Sequence, residues 1–446
     1  MLPTIAPLSR LDGALSLLLL LPSSAIGCSG DDSASGTGSA EATGTATSST
    51  GAPSMASTTG DAGTTSESTG APDTTGSTGA PGTTTSSAGG TGTSTTDDTD
   101  TGVEGPPLFD VSVSVTHTCA VDGDGLVYCW GYNALSQLAL PDTEIERLSP
   151  SWVEAVSDVV HVAVGDGFTL ALTGEGQVYC WGRGDMCGNG VPSPSVVEPQ
   201  LMELEGIETI GAARVNACAL NSSGELYCWG ENGNGQVTSP TFVQTPTVVP
   251  GLSTVTSVAV GSAHLCVDLE AGGVFCWGYG QAGRLGTGNE GDQASPTAVS
   301  GLGKTTETDL VAAGGTASCA SVAGEGLCWG GGVGGFEFSP APVPGLLDAR
   351  RVAIGWSAAC ALLGDGHNLR CWGANSSGTL GTGDEESSDK LVNPVGLERA
   401  DVVELGDRTT CAIQGDSLYC WGDNGLGKVG DGTKTNRLVP TEISLP

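Results

Sequence analysis

Cysteine is the residue with the most chemistry open to it in this 446-residue chain, which holds fifteen. Seven stand in the tripeptide Cys-Trp-Gly, at Cys129, Cys180, Cys228, Cys276, Cys328, Cys371 and Cys420. Six of these follow a second cysteine by 9 to 11 residues, namely Cys119, Cys218, Cys266, Cys319, Cys360 and Cys411. Thiols in such pairs can hold zinc or oxidise to a disulfide. Structural zinc needs four converging ligands, usually through C-x-x-C spacings, and the sequence has none. A hairpin with a short turn sets residues at this offset opposite each other. Facing Cα atoms then lie roughly 4.5–5.5 Å apart, inside the disulfide range of about 4.4–6.8 Å. The spacing predicts bonds 119–129, 218–228, 266–276, 319–328, 360–371 and 411–420. The second unit carries Leu170 at the cysteine position and Cys187 seven residues past Cys180, so a 180–187 bond is expected there. Each bond closes a loop of only about ten residues, at or below the low end of the usual 2–4 kcal/mol. It locks its own hairpin and does not hold the whole fold together. Such cysteine usage fits an oxidising compartment.

The other reactive residue types are sparse. Four histidines leave too few ligands for a multi-histidine metal site. His117 and His264 share one repeat position, filled elsewhere by Phe168, Asn216, Ala317, Ala358 and Thr409, which reads as a tolerant structural slot. His161 lies in a strand pattern and His367 in a turn, neither beside a readable Ser or Cys nucleophile. The glycine-rich stretches lack the Lys-Ser/Thr ending of a phosphate loop. Asp384-Glu385-Glu386, Asp389, the Glu290/Asp292 pair and Asp122 with Asp124 could gather Ca²⁺. Without EF-hand spacing they read better as solvated turns. No metal or cofactor is expected. A carboxylate pair for envelope hydrolysis stays open as an alternative, but nothing singles one out.

The elements that position these residues repeat. Successive Cys-Trp-Gly copies are 51, 48, 48, 52, 43 and 49 residues apart, a period that signals a repeat architecture. Each unit reads as four strands. A β-branched run such as Val159–Val164 comes first, then the Cys-Ala-Leu strand, as in Cys218-Ala219-Leu220. A Gly/Asn/Asp turn leads to the Tyr-Cys-Trp-Gly strand. After a Gly-rich loop, a Pro-containing segment suits an edge, where no ladder donor is needed. Four strands in each of seven units predict an all-β, seven-bladed β-propeller, whose radial closure protects strand edges; a β-solenoid is the structural alternative. The chain starts its first unit at Phe109–Val113 without a Pro segment and ends on Val439–Ile443, so the last strand is expected to complete the first blade. The seven motif tryptophans are expected between blades, as core, each indole N–H needing a partner. Trp152 and Trp356 lie outside that set and are the aromatic candidates for binding.

Three regions follow: 1–27 a signal peptide, 28–105 a linker and 106–446 the propeller. Ala14–Leu21 has the length of a signal h-region and is too short to span a bilayer. Small residues before Cys28, with Ser and Asp after it, resemble a bacterial lipoprotein signal. That resemblance implies lipid on the Cys28 sulfur, worth about 0.8 kcal/mol per buried CH₂. Residues 29–105 hold ten acids and no Lys or Arg, a composition too polar to fold. Such a chain reaches roughly 50 Å. No later run approaches the roughly 20 apolar residues of a membrane span.

Tyr227–Val237 (Tyr-Cys-Trp-Gly-Glu-Asn-Gly-Asn-Gly-Gln-Val), Gly278–Gly286 and Gly422–Gly430 resemble repeats of the regulator of chromosome condensation family, a seven-bladed propeller. Similar repeats occur in a secreted bacterial β-lactamase inhibitor protein. The resemblance implies the fold and, for the eponymous member, guanine-nucleotide exchange on a small GTPase and nucleosome binding. The wedge-like insertion that exchange depends on is not identifiable here. Residues 106–446 carry 39 acids and 14 bases, a net of −25, which opposes nucleic-acid binding. Shared fold does not confer shared function. The expected function is non-catalytic recognition of a protein or cell-envelope ligand by a monomer, outside the cytoplasm on an outer membrane or cell surface, or secreted. Exchange-factor-like activity is the alternative that the resemblance alone suggests.

Overall fold

The computed structural model describes residues 108–446 except 142, 189, 191–192, 238–241, 304–307, 309 and 334–336. The expected signal, Cys28 and the linker 28–105 lie outside the described residues. The described chain forms seven four-stranded antiparallel sheets, each from four consecutive strands. These blades cover 108–152, 159–201, 207–248, 255–298, 310–347, 349–392 and 402–443.

Burial peaks in the second strand of each blade and is lower both at the axis, as in Val255–Val260, and at the rim. Second strands such as His117–Asp122 and Phe168–Thr173 are buried at every position, because both faces of each sheet press on neighbouring blades. Their polar members, such as His117, Thr118 and Thr169, are therefore hydrogen-bonded inside the fold. Outermost strands such as Glu146–Trp152 are half exposed. Their free edges carry Pro150, Pro199, Pro246, Pro296, Pro340 and Pro440, with Asp389 and Lys390 on the one without proline, Ser388–Val392. Proline and charge blunt the edges against pairing with another chain.

The Cys-Trp-Gly motif does three jobs at once. Its cysteine ends a cross-strand pair: Cys119 faces Cys129, and the bonded Cα atoms are 4.1 Å apart. The other five pairs of this kind span 4.0–4.2 Å. In blade 2 Leu170 faces Cys180, and Cys180 bonds Cys187 at a Cα separation of 5.2 Å. Every bond stays within one blade. Each motif tryptophan is at most 1% exposed, and its indole N–H donates to a backbone carbonyl of the preceding blade. The acceptors are Gln137 for Trp181, Met186 for Trp229, Gln236 for Trp277, Arg284 for Trp329, Val333 for Trp372 and Thr379 for Trp421. The motif glycines have φ between +96° and +110°. A Cβ at Gly182 would sit 2.4 Å from the Gly167 carbonyl oxygen, so a side chain there is excluded twice over.

Closure differs from the expectation. The last strand, Arg437–Ile443, pairs with Ser417–Gly422 in its own seventh blade and does not complete the first. The reason lies in the unit boundary. The outermost strand follows its own Gly-rich loop in every unit, so blade 1 already owns Glu146–Trp152 and lacks nothing. The ring closes by side-chain packing and hydrogen bonds, one of them from the Gly432 N–H to the Leu148 carbonyl at 2.8 Å. Trp130 donates to the Lys428 carbonyl at 2.8 Å, and Thr118 Oγ1 donates to the same oxygen at 2.8 Å. Val111, Val113, Tyr128, Ile413 and Leu418 share the apolar cluster beneath. The Lys428 side chain, 1% exposed, pairs with Asp423 at 2.8 Å and holds that carboxyl below its usual range against the opposing effect of burial.

Candidate binding site at the mouth of the axial channel

Strand direction gives the ring two faces. First-to-second-strand loops and the long Gly-rich loops lie on one, the loop face. Hairpin turns and blade-to-blade connections lie on the other, the turn face, where both Leu108 and Ile443 sit. An axial cavity of about 1090 Å³ runs between them, lined by the innermost strands of all seven blades. Aligning the repeats on the His117 slot sorts its wall into layers. Seven residues before the slot, toward the turn face, stand Asp110, His161, Thr209, Ser257, Leu310, Arg351 and Val402, of which His161, Thr209, Leu310 and Arg351 line the cavity. Five before it stand Ser112, Ala163, Gly211, Ala259, Ala312, Ala353 and Glu404. Small side chains at that waist keep the bore open, and Glu404 is its one charged member.

Four charged groups from consecutive blades 6, 7, 1 and 2 meet in this wall. His161 Nδ1 lies 2.7 Å from Asp110 Oδ2, and Nε2 lies 3.2 Å from the Ile210 carbonyl. Arg351 pairs with Glu404 and donates to the Val403 carbonyl at 3.1 Å. Burial disfavours the charged imidazole, but the Asp110 and Glu404 carboxylates outweigh it and raise its pKa. Both acids are matched by a base, so the cluster is a structural brace and leaves no free nucleophile.

The loop-face mouth is ringed by Val115, Asp166, Arg214, Ser262, Gly315, Trp356 and Asp407, two residues before the slot. Backbone bonds run between neighbouring loops: Asp166 N to Arg214 O (2.6 Å), Ser262 N to Gly314 O (3.0 Å), Gly315 N to Gly355 O (2.8 Å) and Trp356 N to Asp407 O (3.1 Å). Trp356 is 42% exposed. The guanidinium of Arg214, from blade 3, lies 5.9 Å from the Trp356 ring centroid in blade 6. In a seven-membered ring those blades are as far apart as two can be, so the contact bridges the mouth. Arg214 also meets Asp166 of blade 2 at 3.4 Å.

The structure does not bring the two candidate tryptophans together. Trp152 is 46% exposed at the end of the outermost strand of blade 1, opposite Tyr128 and toward the turn face. His117 and His264 are wholly buried and outside the mouth. Four of the acids weighed for Ca²⁺ accept hydrogen bonds within their own loops. Asp384 takes them from Thr382, Asn375 and Glu386, Asp292 from Gly280, Glu290 from Ala282, and Asp122 from Asp124 and Leu126. Sequence reasoning reached Trp356 but missed Arg214, Asp166 and the wall cluster. Their signal was the shared repeat register, which gathers polar residues from distant units onto one ring.

Two sequence profiles, both described as regulator of chromosome condensation (RCC1) repeat, match this chain. One matches 124–172, 223–267 and 271–321, the other 110–137, 159–188 and 349–379. Protein RCC1 of Candida albicans is 39% identical over 84 residues, covering 17% of this chain and 18% of that protein. The human probable E3 ubiquitin-protein ligase HERC3 is 34% identical over 110 residues, covering 24% of this chain and 10% of that protein. The chain thus spans less than a fifth of either relative's length. Among solved structures, human WBSCR16 superposes with a TM-score of 0.64 at 20% identity, covering 72% of this chain and 94% of that one. Prp20p from Saccharomyces cerevisiae, described with its binding to Gsp1p and histones, gives 0.64 at 21%, covering 73% and 87%. Repeat profiles, blade count and superposition agree that this chain carries regulator of chromosome condensation (RCC1) repeats folded as a seven-bladed β-propeller.

Proposed function

We propose that the chain is a tethered recognition propeller, working outside the cytoplasm and binding a protein or cell-envelope ligand on its loop face. The observation that carries the location is the set of seven disulfides, every sulfur within residues at most 2% exposed. Such bonds form and persist where the surroundings are oxidising. A lipid on Cys28 and a linker over 28–105 complete the reading. Leu108 begins its strand on the turn face. Mass spectrometry of the native protein tests the location: acylated Cys28 and no free thiol are expected. A reduced, unacylated protein in the cell sap overturns the reading.

Recognition is assigned to the loop face because Trp356, a residue type enriched among binding hot spots, is exposed there beside arginine. Capture of partners from solubilised envelope compares wild type with Trp356→Ala and Trp152→Ala. Trp356→Ala is expected to lower retention roughly tenfold or more, as truncation of a hot spot does, and Trp152→Ala to leave it within about twofold. Equal retention by wild type and both variants removes the two tryptophans as contacts. Exchange-factor-like activity has the likeness to Prp20p in its favour; the net charge of −25 on residues 106–446 weighs against nucleic acid or an acidic histone patch as the target.

A further inference from the structure

We infer that the loop-face mouth of the channel receives a cationic side chain of a partner protein, and that Arg214 is an internal stand-in which that side chain displaces. The inference rests on the recognition reading above and adds the chemistry of the partner. Three features of the mouth suit a guanidinium or ammonium group. Trp356 offers an exposed aromatic face, the surface on which cations gain about 0.5–2 kcal/mol. Asp166 is short of partners: its Oδ2 meets Arg214 only at 3.4 Å, and its Oδ1 is buried with no hydrogen bond of good geometry. Burial raises its pKa, and the Arg214 charge and the nearby Val115 N–H only partly offset that. Asp407 lies close enough to Asp166 for the two charges to repel, and its one arginine partner, Arg408 at 3.2 Å, is itself 53% exposed, so that pair is an open one.

Arg214 already occupies this place, and poorly. It is 49% exposed and reaches across the bore to a distant blade. Its contact with Trp356 sits near the roughly 6 Å limit of a cation–π pair. A better-placed cation gains the ring and the under-bonded carboxylate together. The net charge of −25 on residues 106–446 draws cationic partners from a distance. The arginine at the mouth therefore acts as a competitor whose removal strengthens binding, whereas an arginine that recognised an acidic partner would weaken it on removal.

That sign is the test. Purified full-length wild type, Arg214→Ala and Arg350→Ala are titrated at low salt with the capped peptides Gly-Arg-Gly and Gly-Glu-Gly, followed by the indole N–H resonance that Trp356→Phe abolishes. Arg350 is 59% exposed on the turn face, so its variant makes the same charge change elsewhere. Arg214→Ala is expected to bind the arginine peptide roughly five- to tenfold more tightly than wild type, Arg350→Ala within about twofold. Adding Asp166→Asn should abolish the gain. Unchanged resonances of the seven buried indoles establish that each variant is folded, and Arg214→Lys, which keeps the charge, should stay near wild type. No gain in Arg214→Ala, or a gain for the glutamate peptide instead, overturns the inference. The envelope capture separates this from the wider reading. A partner lost with Trp356→Ala but not displaced by the arginine peptide sinks the cation chemistry and keeps the recognition face.

Discussion

Lowering the pH from 6.5 to 4 is expected to cost the propeller about 3 kcal/mol for each of two buried histidines. His117 and His264 are 0% exposed, and burial pushes both from the ordinary value near 6.5 down to about 3. For His264 the Arg284 guanidinium adds to the shift. Their hydrogen bonds show why the neutral ring is held. Thr169 Oγ1 donates to the Gln137 carbonyl at 2.9 Å, so it accepts from His117 Nε2–H, 2.7 Å away. Ser318 repeats the relay between His264 (2.8 Å) and the Arg284 carbonyl (3.0 Å). Each relay ends on the carbonyl that also accepts the next tryptophan's indole, so the histidines belong to the blade interfaces. A lowered folded pKa means that the unfolded chain takes up protons first. The stabilisation is complete above pH 6.5 and is lost as pH falls toward 3. With both rings neutral in the fold, stability should drop by about 3 kcal/mol per pH unit near pH 5. Urea titrations across this range check the slope. His117→Asn with His264→Asn, a residue the same slot holds at Asn216, should remove about two protons' worth of it. An undiminished slope in that double variant would assign acid sensitivity to the carboxylates instead.

What could be read from the sequence divides by the range of the interactions involved. The period of Cys-Trp-Gly fixes the number of blades because each unit must bury its faces against the next. The facing of Cys119 and Cys129 is set by a short turn between adjacent strands, a local matter. Closure is not local. The strand Arg437–Ile443 has the same composition whichever blade it joins, and the choice depends on which sheet edge is free when the ring meets. Proline fitness for an edge therefore placed it at a rim but could not say which. The mouth was hidden for a similar reason. Arg214 and Trp356 belong to loops three blades apart, and only ring curvature brings them within 5.9 Å. Trp356 was conspicuous because it broke the motif, whereas Asp166 and Arg214 read as ordinary loop charges. The Asp110–His161 and Arg351–Glu404 pairs likewise span adjacent units, with no spacing rule to announce them.

Trp130→Ala is expected to destabilise the ring by about 3–5 kcal/mol, the range for truncating a large core aromatic. Trp229→Ala should lose as much locally, since Trp229 makes the equivalent bond to Met186 at 2.7 Å. The two differ in consequence. Blades 2 and 3 are also joined by the chain through residues 202–206, whereas blades 7 and 1 share no strand and no connecting segment. No disulfide crosses that seam either. Packing around Trp130, the two donors on the Lys428 carbonyl, the Gly432 N–H to Leu148 carbonyl bond at 2.8 Å and the partly exposed Lys434–Glu146 ion pair hold it. Trp130→Ala leaves Thr118 as the only one of those two donors and opens a void between Val113 and Ile413, members of the same cluster. The seam variant should therefore part at the ends before it unfolds. Limited proteolysis should cut near 108–113 and 437–443 under conditions that leave Trp229→Ala intact, and far-UV and near-UV transitions should cease to coincide. Thr118→Val, which removes the lesser donor, should cost about 1 kcal/mol. Reducing agent should not mimic the effect, because six of the disulfides fasten hairpins, Cys180–Cys187 ties a strand to its own loop, and none of the seven fastens the ring. A Trp130→Ala protein within about 1 kcal/mol of wild type and no more readily cleaved would mean that closure is held by contacts other than these.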